Sequence, residues 1–315
     1  MLKQFYLFFF FFVASITASA QSVFTVLPLG VKGGLDESNL SAYLVSSAGS
    51  SNFICLDAGT VYSGLTVARK KGSIQKTEPA FLKENIKGYF ISHGHLDHVA
   101  GLILNSPEDS KKLIYALPEV LDVFKSNYFT RNAWANFGSE GEAPILNKYR
   151  YVPLVPKAII SAEETDLKVQ AFELSHVNPY KSTAFLVSNT AGALLYLGDT
   201  GADSIEKSTD LKNIWQEIAP LIRAKHLKAI FIEVSFPNAQ ADDQLFGHLN
   251  PRLWAQEMNV LASFTGAEAL KGLPVVITHR KPSGIKEKQI KKEVVAENTL
   301  GLKLIFPLQG KMISF

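Results

Sequence analysis

Between positions 93 and 98 the chain reads His93-Gly94-His95-Leu96-Asp97-His98, four groups able to bind a metal ion within six residues. Imidazole nitrogen and carboxylate oxygen are borderline ligands suited to zinc, manganese or iron, so the chemistry open to this run is metal-assisted. In an extended segment, residues two apart point to the same side, and His93 and His95 can grip one ion together. Gly94 between them lets the backbone turn tightly. Asp97 and His98 fall where a helix is expected to begin and can face a second ion. A histidine-rich surface loop explains the run poorly, because it is wedged between apolar stretches and buried imidazoles need partners. Three further groups each sit just past an apolar run that reads as a strand: His176 after 169–174, Asp199 after 194–197 and His279 after 275–278. An α/β architecture collects its site at such strand ends.

The elements that must position these residues follow from periodicity and turn chemistry. Short β-like runs at 23–29, 42–47 and 53–56 are separated by Gly33-Gly34 and by Gly49-Ser50-Ser51. A helical stretch at 79–85 leads into a strand at 87–92, and 99–104 reads as a short helix after the histidine run. A strand at 113–116 and a helix at 118–128, with Pro118 in its first turn, close the first half. Strands are expected at 168–174, 183–188, 193–197, 229–232 and 274–277, and helices at 211–224 and after Pro251. Strands in hairpin order followed by interleaved helices favour an α/β fold of two sheets packed face to face with helices outside. The segment 127–149 mixes Tyr128, Phe129, Trp134 and Phe137 with Gly and polar residues and reads as an insertion or lid.

Composition bounds the function. Hydrophobic residues make up 47% and charged residues 19% of 315, enough for a full core. The net charge of +3 comes without a dense basic stripe, which argues against a nucleic-acid groove. The nearest approach, KEKQIKK at 286–292, reads as the solvated face of a C-terminal helix. Cys55, the one cysteine, lies in an apolar strand and reads as a buried small hydrophobe. Residues 1–20 read as a secretory signal peptide: Lys3, an apolar run at 5–16, then Ala18-Ser19-Ala20 ahead of Gln21. That run is shorter than the ~20 apolar residues needed to cross a bilayer. The expectation is an exported protein, periplasmic or secreted, with residues 21–315 forming one domain and no membrane anchor after cleavage.

The string His93-Gly94-His95-Leu96-Asp97-His98-Val99-Ala100-Gly101-Leu102 resembles the HxHLDHxxGL signature of class II cyclic-nucleotide phosphodiesterases, within the metallo-β-lactamase superfamily. Asn39-Leu40-Ser41-Ala42-Tyr43-Leu44, Leu56-Asp57-Ala58-Gly59-Thr60, Ser175-His176, Gly198-Asp199-Thr200, Glu233-Val234-Ser235-Phe236-Pro237-Asn238 and Gly247-His248-Leu249 are similar to that family's segments, in its order. The resemblance implies an αββα sandwich and two divalent ions, zinc first with manganese or iron as alternatives. It assigns His93, His95 and His176 to one ion, Asp97, His98 and His279 to the other, and Asp199 to the bridge between them. Asp57 would support the metal loop, since outer carboxylates commonly orient ligating histidines.

The implied reaction is hydrolysis of 3′,5′-cyclic nucleotides, cAMP or cGMP, to nucleoside 5′-phosphates by a hydroxide activated between the two ions. The leaving 3′-oxygen needs a proton or a positive contact, a role for His248, with Asp97 and Asp199 completing the catalytic set. Trp134 and Phe137 could stack on a purine, although Ala135 stands where the family has Pro in a Trp-Pro-Asn segment, and core packing of the insertion is the favoured role for both. His226, beside Arg223 and Lys225, reads as a solvated helix end. Partners are limited to a small cyclic nucleotide, with no nucleic-acid polymer; homodimerisation is left open. The alternatives are another hydrolase on this fold (a lactonase, thioesterase or β-lactamase) or a cyclic-nucleotide-binding protein without turnover.

Overall fold

The computed structural model describes residues 22–281 and 284–315, so the expected signal peptide lies outside the described residues. Two seven-stranded sheets are present. The first runs β14 (Ile313–Ser314), β1 (Phe24–Gly30), β2 (Ala42–Ser47), β3 (Phe53–Leu56), β4 (Ile86–Phe90), β5 (Lys112–Ala116) and β6 (Tyr149–Pro153). The second runs β13 (Lys303–Ile305), β12 (Pro274–Thr278), β11 (Leu227–Glu233), β10 (Ala193–Leu197), β9 (Lys181–Ser188), β8 (Lys168–Ser175) and β7 (Ile159–Ser161).

Each sheet begins with antiparallel hairpins and continues with parallel strands. Short turns suffice for the first kind of pairing, whereas parallel pairing needs crossovers, which helices supply. Helices α1 (Tyr62–Lys70), α2 (Glu78–Asn85), α3 (Leu96–Asn105) and α4 (Pro118–Val123) belong to the first half. Helices α5 (Asp203–Glu206), α6 (Asp210–Arg223), α7 (Pro251–Thr265), α8 (Ala267–Leu270) and α9 (Ile285–Glu297) belong to the second.

The sheets face each other through aromatic contacts: Tyr43 lies 5.7 Å from Tyr196 and 5.6 Å from Phe231, and Phe90 lies 5.8 Å from Phe185. A second core covers the outer face of the second sheet. There α6 buries Leu211, Ile214, Trp215, Ile218 and Ile222, one stripe at helical spacing. Helix α7 starts where Asn250 caps Leu253 N at 3.0 Å and Pro251 occupies the first turn. The pairing directions make β1, β3, β4, β8, β10, β11 and β12 end at one rim. No helix among the described residues is long and apolar enough to cross a membrane.

Two expectations change. The helix expected at 99–104 begins at Leu96, so Asp97 and His98 stand in its first turn. The expected helix at 118–128 ends as α4 at Val123 and continues as a π-helical turn, Phe124–Tyr128. The 127–149 segment then packs on the first sheet and the far end of α3. Phe129 and Asn136 are buried, and Asn136 holds the loop by donating to the carbonyls of Glu140 and Glu142.

Candidate metal centre

The rim gathers the chemistry. His93 follows β4, His95 precedes α3, His176 follows β8, Asp199 lies two residues past β10 and His279 directly follows β12. His93 Nε2 lies 3.0 Å from His95 Nδ1, which lies 3.3 Å from His176 Nε2. Asp97 Oδ2 lies 3.1 Å from His279 Nε2. Asp199 stands between the two groups: Oδ1 is 3.3 Å from His98 Nε2, and Oδ2 is 3.3 Å from His279 Nε2 and 3.8 Å from His93 Nε2.

The outer nitrogens are tied down, which aims the inner ones. His98 Nδ1 pairs with Asp57 Oδ2 at 2.8 Å, His93 Nδ1 with Ser92 Oγ at 2.9 Å, His176 Nδ1 with the Gly247 carbonyl at 2.8 Å and His279 Nδ1 with Ser235 Oγ at 2.9 Å. Asp57 is itself fixed by donors from Ser92 N at 2.7 Å and Tyr196 Oη at 2.6 Å. Such partners set the tautomer and orientation of a ligating imidazole. Tyr180 stacks on His95, ring centroids 5.0 Å apart, and accepts from Gly94 N, while Tyr128 donates to the Gly94 carbonyl at 2.6 Å. Gly33 admits the His279 ring, for a Cβ there would collide with the imidazole, and Gly34 N donates to Asp97 Oδ2 at 2.9 Å.

The donor set fits divalent metal ions. His98 Nε2 and Asp199 Oδ2 are buried with no hydrogen-bond partner, although buried polar atoms are nearly always paired. His93, His95 and His176 place ligand atoms within 4.8 Å of one another, and so do Asp97, His98 and His279. Burial lowers the pKa of His93 and His176 and brings His95 down to about 4, which keeps these rings in the neutral, ligating form. Burial also acts to raise Asp199 and Asp97, but the nearby His279 and His98 outweigh it and hold both below the ordinary carboxylate range.

The family model for cAMP phosphodiesterases class-II matches residues 22–310. A 3′,5′-cyclic-nucleotide phosphodiesterase of Aliivibrio fischeri is 45% identical over 314 residues, 94% of each chain. Unliganded yeast PDE1 superposes with a TM-score of 0.80 at 23% identity, over 94% of this chain and 100% of that one. The metallo-β-lactamase fold protein YhfI of Bacillus subtilis superposes with a TM-score of 0.60 at 16% identity, over 92% and 99%. The chain belongs to the class II cAMP phosphodiesterase family. Its fold is the metallo-β-lactamase αββα sandwich.

In this class II phosphodiesterase the structure brings together all seven ligand positions expected from sequence, with Asp57 behind them and His248 beside them. His248 Nδ1 pairs with Glu233 Oε1 at 2.8 Å and lies 3.7 Å from Asp199 Oδ2, and its ring stacks on His279. Glu233 was missed as a site residue. The available signal was a carboxylate closing the apolar strand 229–232, where burial demands a partner. Burial and the Asp199 charge push Glu233 up to about 7, while burial brings His248 down to about 4. Tyr180, Tyr128, Ser92, Tyr196 and Ser235 were missed because their roles depend on pairing across strands.

Trp134 and Phe137 are not brought to the cluster. Trp134 Nε1 donates to Ser106 Oγ at 3.0 Å, at the C-terminal end of α3, whereas Asp97 and His98 occupy its first turn. Phe137 packs on Phe129 at 6.1 Å. Both belong to the core of the 127–149 segment, the role that the sequence favours for them, and the alternative of base stacking at the cluster is corrected. Cys55 is fully buried and its thiol donates to the Asp57 carbonyl, away from the donor atoms. His226 is half-buried in the loop between α6 and β11.

Proposed function

We propose that this protein hydrolyses 3′,5′-cyclic nucleotides to nucleoside 5′-phosphates at this cluster, with two divalent cations, zinc first. The observation that carries the reading is the match to the class II family over residues 22–310, with the converged ligand set inside it. Bound divalent cations supply Lewis acidity to a phosphoryl group and lower the pKa of water.

The chain's own residues divide the remaining work. His93, His95 through Nδ1, and His176 hold one position; Asp97, His98 and His279 hold the other; Asp199 reaches both. Asp57 fixes His98 and the start of the metal loop. Burial raises the Glu233 pKa to about 7, so its carboxyl group can donate to His248 Nδ1; the neutral ring then carries its own proton on Nε2, which can pass to the leaving 3′-oxygen or bind a phosphate oxygen. A net charge near neutrality and the absence of a basic stripe suit a small anionic substrate better than a polymer.

The test is turnover of cAMP and cGMP by metal-loaded protein, with the 5′-phosphate identified by phosphorus NMR and metal content measured on the same sample. Hydrolysis of lactones, thioesters or β-lactams with neither cyclic nucleotide consumed overturns the reading. Tight binding of cyclic nucleotide without product overturns the enzymatic assignment. We also propose export, on the leader-like composition of residues 1–20. A native protein starting near Gln21 in the periplasmic or culture fraction supports it, and a full-length chain in the cytosol overturns it.

A further inference from the structure

Large apolar side chains held in water tend to mark binding surfaces when they gather. Among the described residues, Leu35, Leu96, Val177 and Phe246 are all exposed, and each is within one residue of a group that builds the metal centre. Phe246 is 64% exposed and Val177 49%. Both hold left-handed backbone, φ 51° and 55°, a conformation that bulky and β-branched residues resist. Neither position contributes much to the core, and a turn alone would be better served by Gly or Asn. Strain of this kind concentrates at ligand-binding segments.

The geometry around Phe246 is continuous with the cluster. Gly247 lets the strand of chain carrying His248 lie against His176 and Val177: a Cβ there would meet His176 Nδ1 at 2.6 Å and Val177 Cγ2 at 2.8 Å. The Phe246 ring lies 6.5 Å from Phe236, and Phe236 lies 5.8 Å from His248. An aromatic wall therefore runs from solvent at Phe246, through Phe236, to the imidazoles. Lys281 Nζ stands 5.7 Å from the Phe236 ring centroid, adding a cation to the same wall.

We propose that this wall is the base subsite, where the heterocyclic base of a nucleotide stacks on Phe246 with Val177 at its edge. The inference rests on the substrate reading above. A cyclic nucleotide has a charged end and a flat end; the cluster accounts for the first and the wall for the second. Every base offers a π-face, so this contact gives affinity with modest preference among bases. Base recognition then falls to the loops around 177 and 246.

The test compares full-length, metal-loaded wild type with Phe246→Ala and Phe246→Trp, and with Ile159→Ala as a control of equal exposure, 65%, on the distant strand β7. Phe246→Ala is expected to raise KM for cAMP about tenfold with kcat within about twofold, the loss expected for one stacked base. Phe246→Trp restores KM, and Ile159→Ala leaves both constants unchanged. Wild type is expected to bind 5′-AMP more tightly than ribose 5-phosphate in competition, and Phe246→Ala to bring the two together. Saturation-transfer NMR on the adenine H2 and H8 protons of 5′-AMP reads the contact without turnover. Unchanged KM and an unchanged inhibitor ratio in Phe246→Ala, from an enzyme that consumes cAMP, overturn the subsite and leave the substrate reading standing. A metal-loaded wild type inert on cyclic nucleotides overturns both.

Discussion

Asp199 Oδ2 lies within 4.0 Å of nitrogens from His93, His176, His248 and His279. Asp199→Ala therefore removes the one carboxylate shared by both ligand groups and leaves several imidazoles crowded without a counter-charge. The expected outcome is loss of turnover together with reduced metal content by elemental analysis; full activity with two ions retained would show that Asp199 does not bridge. Glu233 poses a sharper question, because its carboxylate also shares a candidate donor group with His248 and His279. If it positions His248, Glu233→Gln should lower kcat about 10- to 100-fold with metal content and KM little changed. Loss of an ion instead would make it a ligand. The positions that converge were legible in the sequence because four of them fall within six residues and the rest sit at strand ends. The residues that orient them were not, since Tyr196 reaches Asp57 across 139 positions and Tyr180 reaches Gly94 across 86.

Strands and helices buried on both faces announced themselves. Strand β4 and helix α3, which bracket the histidine run, came out within a few residues of where apolar patterning put them. Edge elements did not: β7, β13 and β14 are two or three residues long and partly exposed, so they carry no alternating signal. Strand β14 nonetheless matters to the first sheet. It pairs antiparallel with β1, and the Phe315 ring lies 5.7 Å from Phe231, on the facing sheet. Deleting residues 313–315 strips an edge strand and uncovers aromatic surface, so the midpoint of urea unfolding should fall by an amount corresponding to about 1–3 kcal/mol. An unchanged midpoint would mean that the strand adds nothing to the sheet.

For the whole molecule, the two halves meet at their site. Candidate ligands come from β4 and α3 on one side and from β8, β10 and β12 on the other, so a cation bound there would hold the sheets together. A ligand that binds only the folded state stabilises it by mass action. Stripping the protein with a strong chelator should lower Tm by about 5 °C or more, reversed by adding zinc, as scanning calorimetry would show. A Tm indifferent to the chelator would argue that no cation spans the halves. The sandwich itself was readable from sequence through the order of hairpins followed by interleaved helices. The packing of the 127–149 segment was not, because its aromatics look the same whether they cover a core or a ligand.

The pairing of β1 with β14 has one more effect. Phe24 N donates to the Phe315 carbonyl at 3.0 Å and Phe315 N to the Phe24 carbonyl at 3.1 Å, at the base of the sandwich and opposite the rim that carries the histidine cluster. Residues 24 and 315 are side by side, and both face away from the mouth that a nucleotide must enter. An affinity tag, a fluorophore or a surface tether attached past Phe315 would thus leave the approach to the cluster clear, and a short linker could join Phe315 to the start of β1 without crossing it.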